Sequence, residues 1–374
     1  MTFLSENKSL PISDPKRRHQ SLLQNEDFLE FLGEGPYLNG AHVPAFENEL
    51  SEYLGSRFCI GVSSGTGALE LALLSLNLPE DASVLVPANA GGYASMAVVR
   101  NKLSCNYYDV DEKGLPNIEL LSDSRRRTDR VLIVTHLYGQ SAPMEMLTAW
   151  CDENDLFLIE DCAQAIGAEI KNKKVGTFGD IGTFSFYPTK NLGTIGDAGA
   201  LCTNNVQLAE TLTIRRQYGW RSRYLSYESG SNLRMDEVHA FVLRTQLDKL
   251  EKYNSRRRDI WNAYQKVLLE FDKSDLLLGK NTPEFVAHLC VLKVKNRTKL
   301  QSFFNQHGLS TDVHYPHPDY LQPAFAKFKN RSLPNTEELC REVLTIPLFE
   351  TMTSDEVSHT CNTLLDACIG NVLF

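Results

Sequence analysis

No stretch of this chain stays apolar for the roughly 20 residues that a bilayer-spanning helix needs. The first residues, Met1–Lys8, lack the apolar core behind a positive charge that marks a secretory leader. Positive charge is not in excess either: 38 Lys and Arg against 47 Asp and Glu give a formal net charge of −9. Neither nucleic acid nor an anionic membrane is therefore expected as a main partner, although local basic pockets for small anions stay open. The nine cysteines include no CxxC pair. Cys59, Cys105, Cys162, Cys202 and Cys290 stand in or beside apolar runs, so they read as reduced, buried thiols of a cytoplasmic protein. Internal repeats, low-complexity tracts, a Walker loop and a GxGxxG turn are all missing.

What is present is ordinary in bulk and organised in detail. With 374 residues, 42% of them hydrophobic and 23% charged, the chain can build a large core, expected to be shared between two domains. Short apolar runs alternate with helical patterns: Phe58–Val62, Ser83–Val86, Cys105–Tyr108, Val131–His136, Leu156–Glu160, Gly182–Phe186 and Ala200–Thr203. Several are apolar throughout, as strands buried on both faces are, which predicts an α/β fold around a mostly parallel seven-stranded sheet. Thr66–Leu76 reads as a helix apolar almost all round and therefore buried. From about Gln246 the texture shifts to amphipathic helices, one strand-like run (Ala287–Val294) and a Pro/His-rich loop (His314–Pro323). The expected division is a large α/β domain over 1–245 and a smaller α+β domain over 246–374. Arg256, Arg257 and Arg258 are expected on the solvated face of a helix, with phosphate binding as the minority reading.

Three constellations carry chemistry. Lys190 stands in a turn after an apolar strand, followed by the glycine-rich Gly193–Gly199, which argues for a tight, structured turn. Twenty-nine positions upstream another strand ends in Glu160-Asp161-Cys162-Ala163-Gln164. A lysine and an acid at two buried strand ends are what pyridoxal phosphate chemistry needs: the amine bonds to the aldehyde, and the acid pairs with the ring nitrogen. Asp161 also fits a helix N-cap, and Glu160 is the alternative charged participant. The third constellation, Ser63-Ser64-Gly65-Thr66-Gly67, places small residues and free N–H groups at a helix start, where a phosphate can bind.

Taken in order, these pieces resemble the fold-type-I, pyridoxal phosphate-dependent sugar aminotransferases of the DegT/StrS type. Gly35-Pro36-Tyr37-Leu38-Asn39-Gly40, Thr135-His136-Leu137-Tyr138-Gly139-Gln140 and Gly230-Ser231-Asn232-Leu233-Arg234-Met235-Asp236-Glu237 extend the likeness from about Leu10 to the last helix. The resemblance implies that Lys190 is the Schiff-base lysine, that Asp161 faces the pyridine nitrogen and that Gln164 faces the ring oxygen. Gly65, Thr66 and Ser185 would hold the phosphate. Asn232 would reach the cofactor of a neighbouring subunit, making a homodimer with shared active sites. The implied reaction moves an amine from an amino acid, usually glutamate, through pyridoxamine 5′-phosphate to a nucleotide-linked keto-deoxy sugar, 3-keto ahead of 4-keto. Lysine at 190, where related dehydratases carry histidine, favours transamination. The alternatives are a pyridoxal phosphate-binding relative with a regulatory role, or another sugar reaction such as dehydration. Two positions depart from the pattern. The family's ring-stacking aromatic falls on Gly91, leaving Tyr93 or another group to cover the ring. Tyr320 stands where the sugar-side loop commonly has histidine, near His314 and His317.

Overall fold

The computed structural model describes residues 9–329 and 331–373, so the Met1–Lys8 stretch lies outside the described residues. All seven apolar runs are strands of one sheet: β1 (Phe58–Val62), β2 (Ser83–Pro87), β3 (Ser104–Tyr108), β4 (Asp129–Thr135), β5 (Phe157–Asp161), β6 (Ile181–Ser185) and β7 (Gly199–Thr203). Their order across the sheet is β1-β7-β6-β5-β4-β2-β3, and β7 alone runs against its neighbours. The chain has the expected α/β fold around a mostly parallel seven-stranded sheet.

Side chains alternate between two buried faces, which is why these strands read as continuous apolar runs. Val131, Ile133, Ile159 and Leu201 pack on one face against Ala68, Leu69, Leu71, Ala72 and Leu73 of the helix Gly65–Ser75. Leu132, Val134 and Leu158 pack on the other, against Met144, Leu147 and Trp150 of the helix Met144–Glu153. The register matters for function: Thr135 pairs with Asp161, and Asp161 with Thr183, so the last residue of β5 sits between two neighbours at the sheet's C-terminal edge. Ligands of open α/β sheets bind at that edge.

The long helix Leu250–Leu269 leads into a further core built from Ile260, Trp261, Tyr264, Leu268 and residues onward to Leu373, with an antiparallel pair β8 (Cys290–Lys293) and β9 (Val343–Ile346). The division expected at 245/246 falls inside the helix Glu237–Leu247, two residues before its end. The N-terminal segment crosses to this region, where Leu10 bridges Leu309.

One expectation fails here. Arg257 is not on a solvated face: it is 1% exposed and lies 2.8 Å from Glu350, itself 2.5 Å from Arg18. Position 257 belongs to the stripe Leu250, Asn254, Ile260, Trp261, Tyr264, Leu268 that the helix buries. Helical periodicity assigns the side; the distant Glu350, with the carbonyls of His288 and Leu348, makes a charge tolerable there.

Candidate active site

A cavity of about 540 Å³ opens at the C-terminal edge of the sheet. Sheet-side elements bring to it Gly65, Thr66, Asp161, Gln164, Ser185 and Lys190; the N-terminal segment adds Ile12 and Ser13; the C-terminal region adds Arg257, His288, Asp312, His314, Tyr315 and Leu348.

Lys190 follows β6 in a turn pinned by its own N–H to the Tyr187 carbonyl (2.8 Å) and by the Thr194 N–H to Phe186 (2.9 Å). Arg18 donates to the Lys190 carbonyl at 2.6 Å. Burial pulls the amine down to about 8, against the opposing pull of Asp161. A sizeable neutral fraction near pH 8 is what a nucleophilic amine needs.

Asp161 ends β5, and the residues after it form a turn rather than a helix, so the N-cap reading does not hold. Its carboxylate accepts the Ala163 N–H at 3.1 Å and lies 3.5 Å from the Thr135 hydroxyl. Burial raises its affinity for a proton, with Ala163 and Lys190 acting in the other direction. A buried acid so placed fits a cationic partner. Glu160, one residue earlier, points to the opposite face. Its oxygens take the N–H groups of Gly176, Phe178 and Gly179 at 2.7–2.8 Å, and His136 lies 3.2 Å away. That carboxylate is saturated by structure.

The helix Gly65–Ser75 begins one residue earlier than expected, because Ser64 is the cap and accepts the Gly67 N–H at 3.0 Å. The Ala68 N–H takes the Ser64 carbonyl, so the N–H groups of Gly65 and Thr66 have no partner within the helix. A Cβ on Gly65 would meet the Ser185 Cβ at 2.6 Å. Glycine thus lets the helix N-terminus press against β6 and the Ser185 hydroxyl. This cradle, together with the lysine and the acid, fits a phosphorylated aldehyde cofactor.

Gln164 is held by its neighbours: its Oε1 accepts the Tyr138 N–H at 2.7 Å and its Nε2 donates to the Tyr315 hydroxyl at 3.0 Å. Tyr93 lines the cavity at its mouth, 51% exposed. Asn232 is exposed, bridged to Gln217, and outside this chain's own cavity lining. Tyr320 lies in the core with its hydroxyl on Glu337 at 2.6 Å, away from the cavity. His314 lines the cavity, while His317 is exposed outside it. Among the described residues the grouping with metal-ligand spacing is His136, Glu160 and Cys162, whose glutamate is already occupied. Sequence reasoning placed Arg257 on a solvated face and missed Ser13, Arg18, His288 and Asp312. They approach Lys190 only through tertiary packing, and none stands in a motif.

Fold and site together define a pyridoxal phosphate-dependent aminotransferase of fold type I. The sequence matches the DegT/DnrJ/EryC1/StrS aminotransferase family over residues 21–365, and the chain belongs to that family, whose cofactor is pyridoxal 5′-phosphate. It is 35% identical over 340 residues to the erythromycin biosynthesis sensory transduction protein EryC1 of Saccharopolyspora erythraea, covering 89% of this chain and 92% of that one. It is 36% identical over 333 residues to a dTDP-3-amino-3,6-dideoxy-alpha-D-galactopyranose transaminase of Aneurinibacillus thermoaerophilus, covering 88% and 90%. Among solved structures it superposes on DesV of S. venezuelae with a TM-score of 0.90 and 32% identity, covering 96% of this chain and 99% of that chain. No helix among the described residues is long and apolar enough to cross a membrane.

Proposed function

We propose that this aminotransferase moves an amino group from an amino acid, glutamate first among candidates, to a nucleotide-linked keto-deoxy sugar with the ketone at carbon 3. The observation that carries the reading is the buried Lys190 amine, lowered to about 8, on the same cavity wall as Asp161. The 3-keto preference is supported by the relative from Aneurinibacillus thermoaerophilus, whose name describes a 3-amino sugar transaminase.

Bound pyridoxal 5′-phosphate supplies an aldehyde that carries the amino group and a ring that draws electron density from the reacting carbon. The chain's own residues do the rest. Lys190 moves a proton on and off that carbon, for which an amine near 8 is suited at neutral to mildly basic pH. Asp161 holds a proton at the ring nitrogen, and Gln164 orients its amide to the ring oxygen. Gly65, Thr66 and Ser185 fix the phosphate by N–H and O–H donation. Asn232 acts across a homodimer interface, on the partner's site, which agrees with its exposed position outside this chain's cavity. Tyr93 stands at the entrance.

The test is a panel of nucleotide 3-keto and 4-keto deoxy sugars incubated with enzyme, cofactor and glutamate, with products weighed by mass spectrometry. Glutamate-dependent gain of an amine on the 3-keto members is expected. Amination of 4-keto members alone would refute the positional preference, and no amination of any member would refute the activity. EryC1, by its name a sensory transduction protein, motivates the second reading of a regulatory cofactor-binding role. That reading predicts cofactor conversion by glutamate without sugar turnover.

A further inference from the structure

The end of β2 leads into Ala88-Asn89-Ala90-Gly91-Gly92, and Gly91 has a left-handed backbone (φ +77°) with no side chain. The space beside it is filled from far along the chain. A Cβ built on Gly91 would stand 2.8 Å from the Tyr315 Cε1 and 3.0 Å from its Cδ1 and Cζ. The Tyr315 ring thus occupies the wall that a residue at 91 would have occupied. It shares the cavity with Lys190, Asp161 and Gln164.

Its position is held from several sides. The hydroxyl accepts from Gln164 at 3.0 Å, the Tyr93 ring meets it edge-on at 6.1 Å and 73°, and Tyr138 donates to the neighbouring His314 carbonyl at 2.5 Å. The other tyrosines of the lining, Tyr93 and Tyr187, are 51% and 49% exposed and stand at the mouth. A flat heterocycle whose aldehyde meets Lys190 and whose nitrogen meets Asp161 needs a fixed aromatic wall beside it, because offset ring stacking is favourable and loses little on binding when the wall is already ordered.

We infer that Tyr315 supplies the aromatic face on which the cofactor ring stacks, and that glycine at 91 is what admits it. This rests on the cavity being the cofactor site, as proposed above. The experiment measures pyridoxal 5′-phosphate binding to the full chain, dialysed free of cofactor, by equilibrium dialysis and by the induced circular dichroism of the bound chromophore. Wild type is compared with Tyr315→Phe, Tyr315→Leu, Tyr315→Ala and Gly91→Ala, each checked for folding by far-ultraviolet circular dichroism and melting without cofactor.

Tyr315→Phe should bind within about threefold of wild type. Tyr315→Leu should bind about 5- to 10-fold more weakly and Tyr315→Ala, which also gives up buried apolar area, about 10- to 100-fold, both losing the induced signal. Gly91→Ala should weaken binding as well, by displacing the ring. Equal losses in Tyr315→Phe and Tyr315→Ala would assign the effect to the hydroxyl on Gln164 and overturn the inference. So would unchanged binding in Tyr315→Leu. If wild type itself binds no cofactor, the cofactor site fails first, whatever Tyr315 does.

Discussion

The two walls of the cavity are made differently. On one side stand the ends of β5 and β6 and the start of the helix Gly65–Ser75, where Asp161, Ser185 and Gly65 are each the first or last residue of a regular element. On the other stand Arg257, His288, Asp312, His314, Tyr315 and Leu348, taken from a helix, loops and the approach to the last helix. The sheet side is ordered by backbone ladders, so its groups can be few and chemically exposed. The opposite side is ordered by side chains, above all by the buried Arg18, Glu350 and Arg257, and Arg18 also donates to the carbonyl of Lys190. Alterations on the sheet side should therefore fail in chemistry, and alterations to the charged network behind the opposite wall in stability.

The sharpest break of that comparison is Lys190→Ala. Removing the amine should lower turnover by at least about 10⁴-fold, because both the covalent and the proton-transfer roles go. The purified variant should also lack the absorbance band that glutamate bleaches in wild type, with its melting temperature little changed. Residual turnover within tenfold of wild type would remove Lys190 from the mechanism.

Glu350→Ala should do the reverse. It leaves Arg18 and Arg257 buried without their counter-charge, which costs about 3–5 kcal/mol. Urea unfolding measures this directly. A loss below 1 kcal/mol would mean that the network does not order its wall.

Asp161→Asn keeps the shape and removes the charge. A drop of roughly 10²–10³ in kcat is expected with stability unchanged or slightly raised, since burial already disfavours the ionised form of this carboxyl. A variant that loses stability instead would place Asp161 with the structural acids, beside Glu160.

The smallest effect is a pH dependence of the cofactor-free protein. The Lys190 amine is lowered from its ordinary 10.5 to about 8 by burial, so between those values the unfolded chain binds more protons than the folded one. Stability should therefore rise with pH from about 8 upward, relative to Lys190→Met. Melting curves of both proteins at pH 7.5, 8.5 and 9.5 decide it: parallel curves would contradict a depressed amine.

Much of the sheet side was legible beforehand. The seven strands appeared as apolar runs because both faces are buried, with ends displaced by only one or two residues. For example, Phe186 reads as strand by composition, but β6 ends at Ser185: the Phe186 N–H still bonds the Ala198 carbonyl, while its own carbonyl takes the Thr194 N–H of the turn that carries Lys190. Local pattern could not choose between Glu160 and Asp161, which are adjacent, acidic and equally suited to a strand end. Arg257 misled because a run of three arginines looks solvated, and the acid that neutralises one of them lies 93 positions away at Glu350.

By itself, the sequence determined which element types would form and where a lysine, an acid and a glycine-rich helix start would fall along the chain. Periodicity and small-residue turns are local properties, so they can be read without the fold. Tertiary structure decided the rest. The pleat of β5 turned Asp161 to the cavity and gave Glu160 to three backbone N–H groups. Loop packing brought Tyr315 against a glycine 224 residues away in sequence. Burial beside Asp161 set the Lys190 amine near 8. These outcomes depend on groups distant in the chain, and desolvation and ring contact exist only once those groups have been brought together.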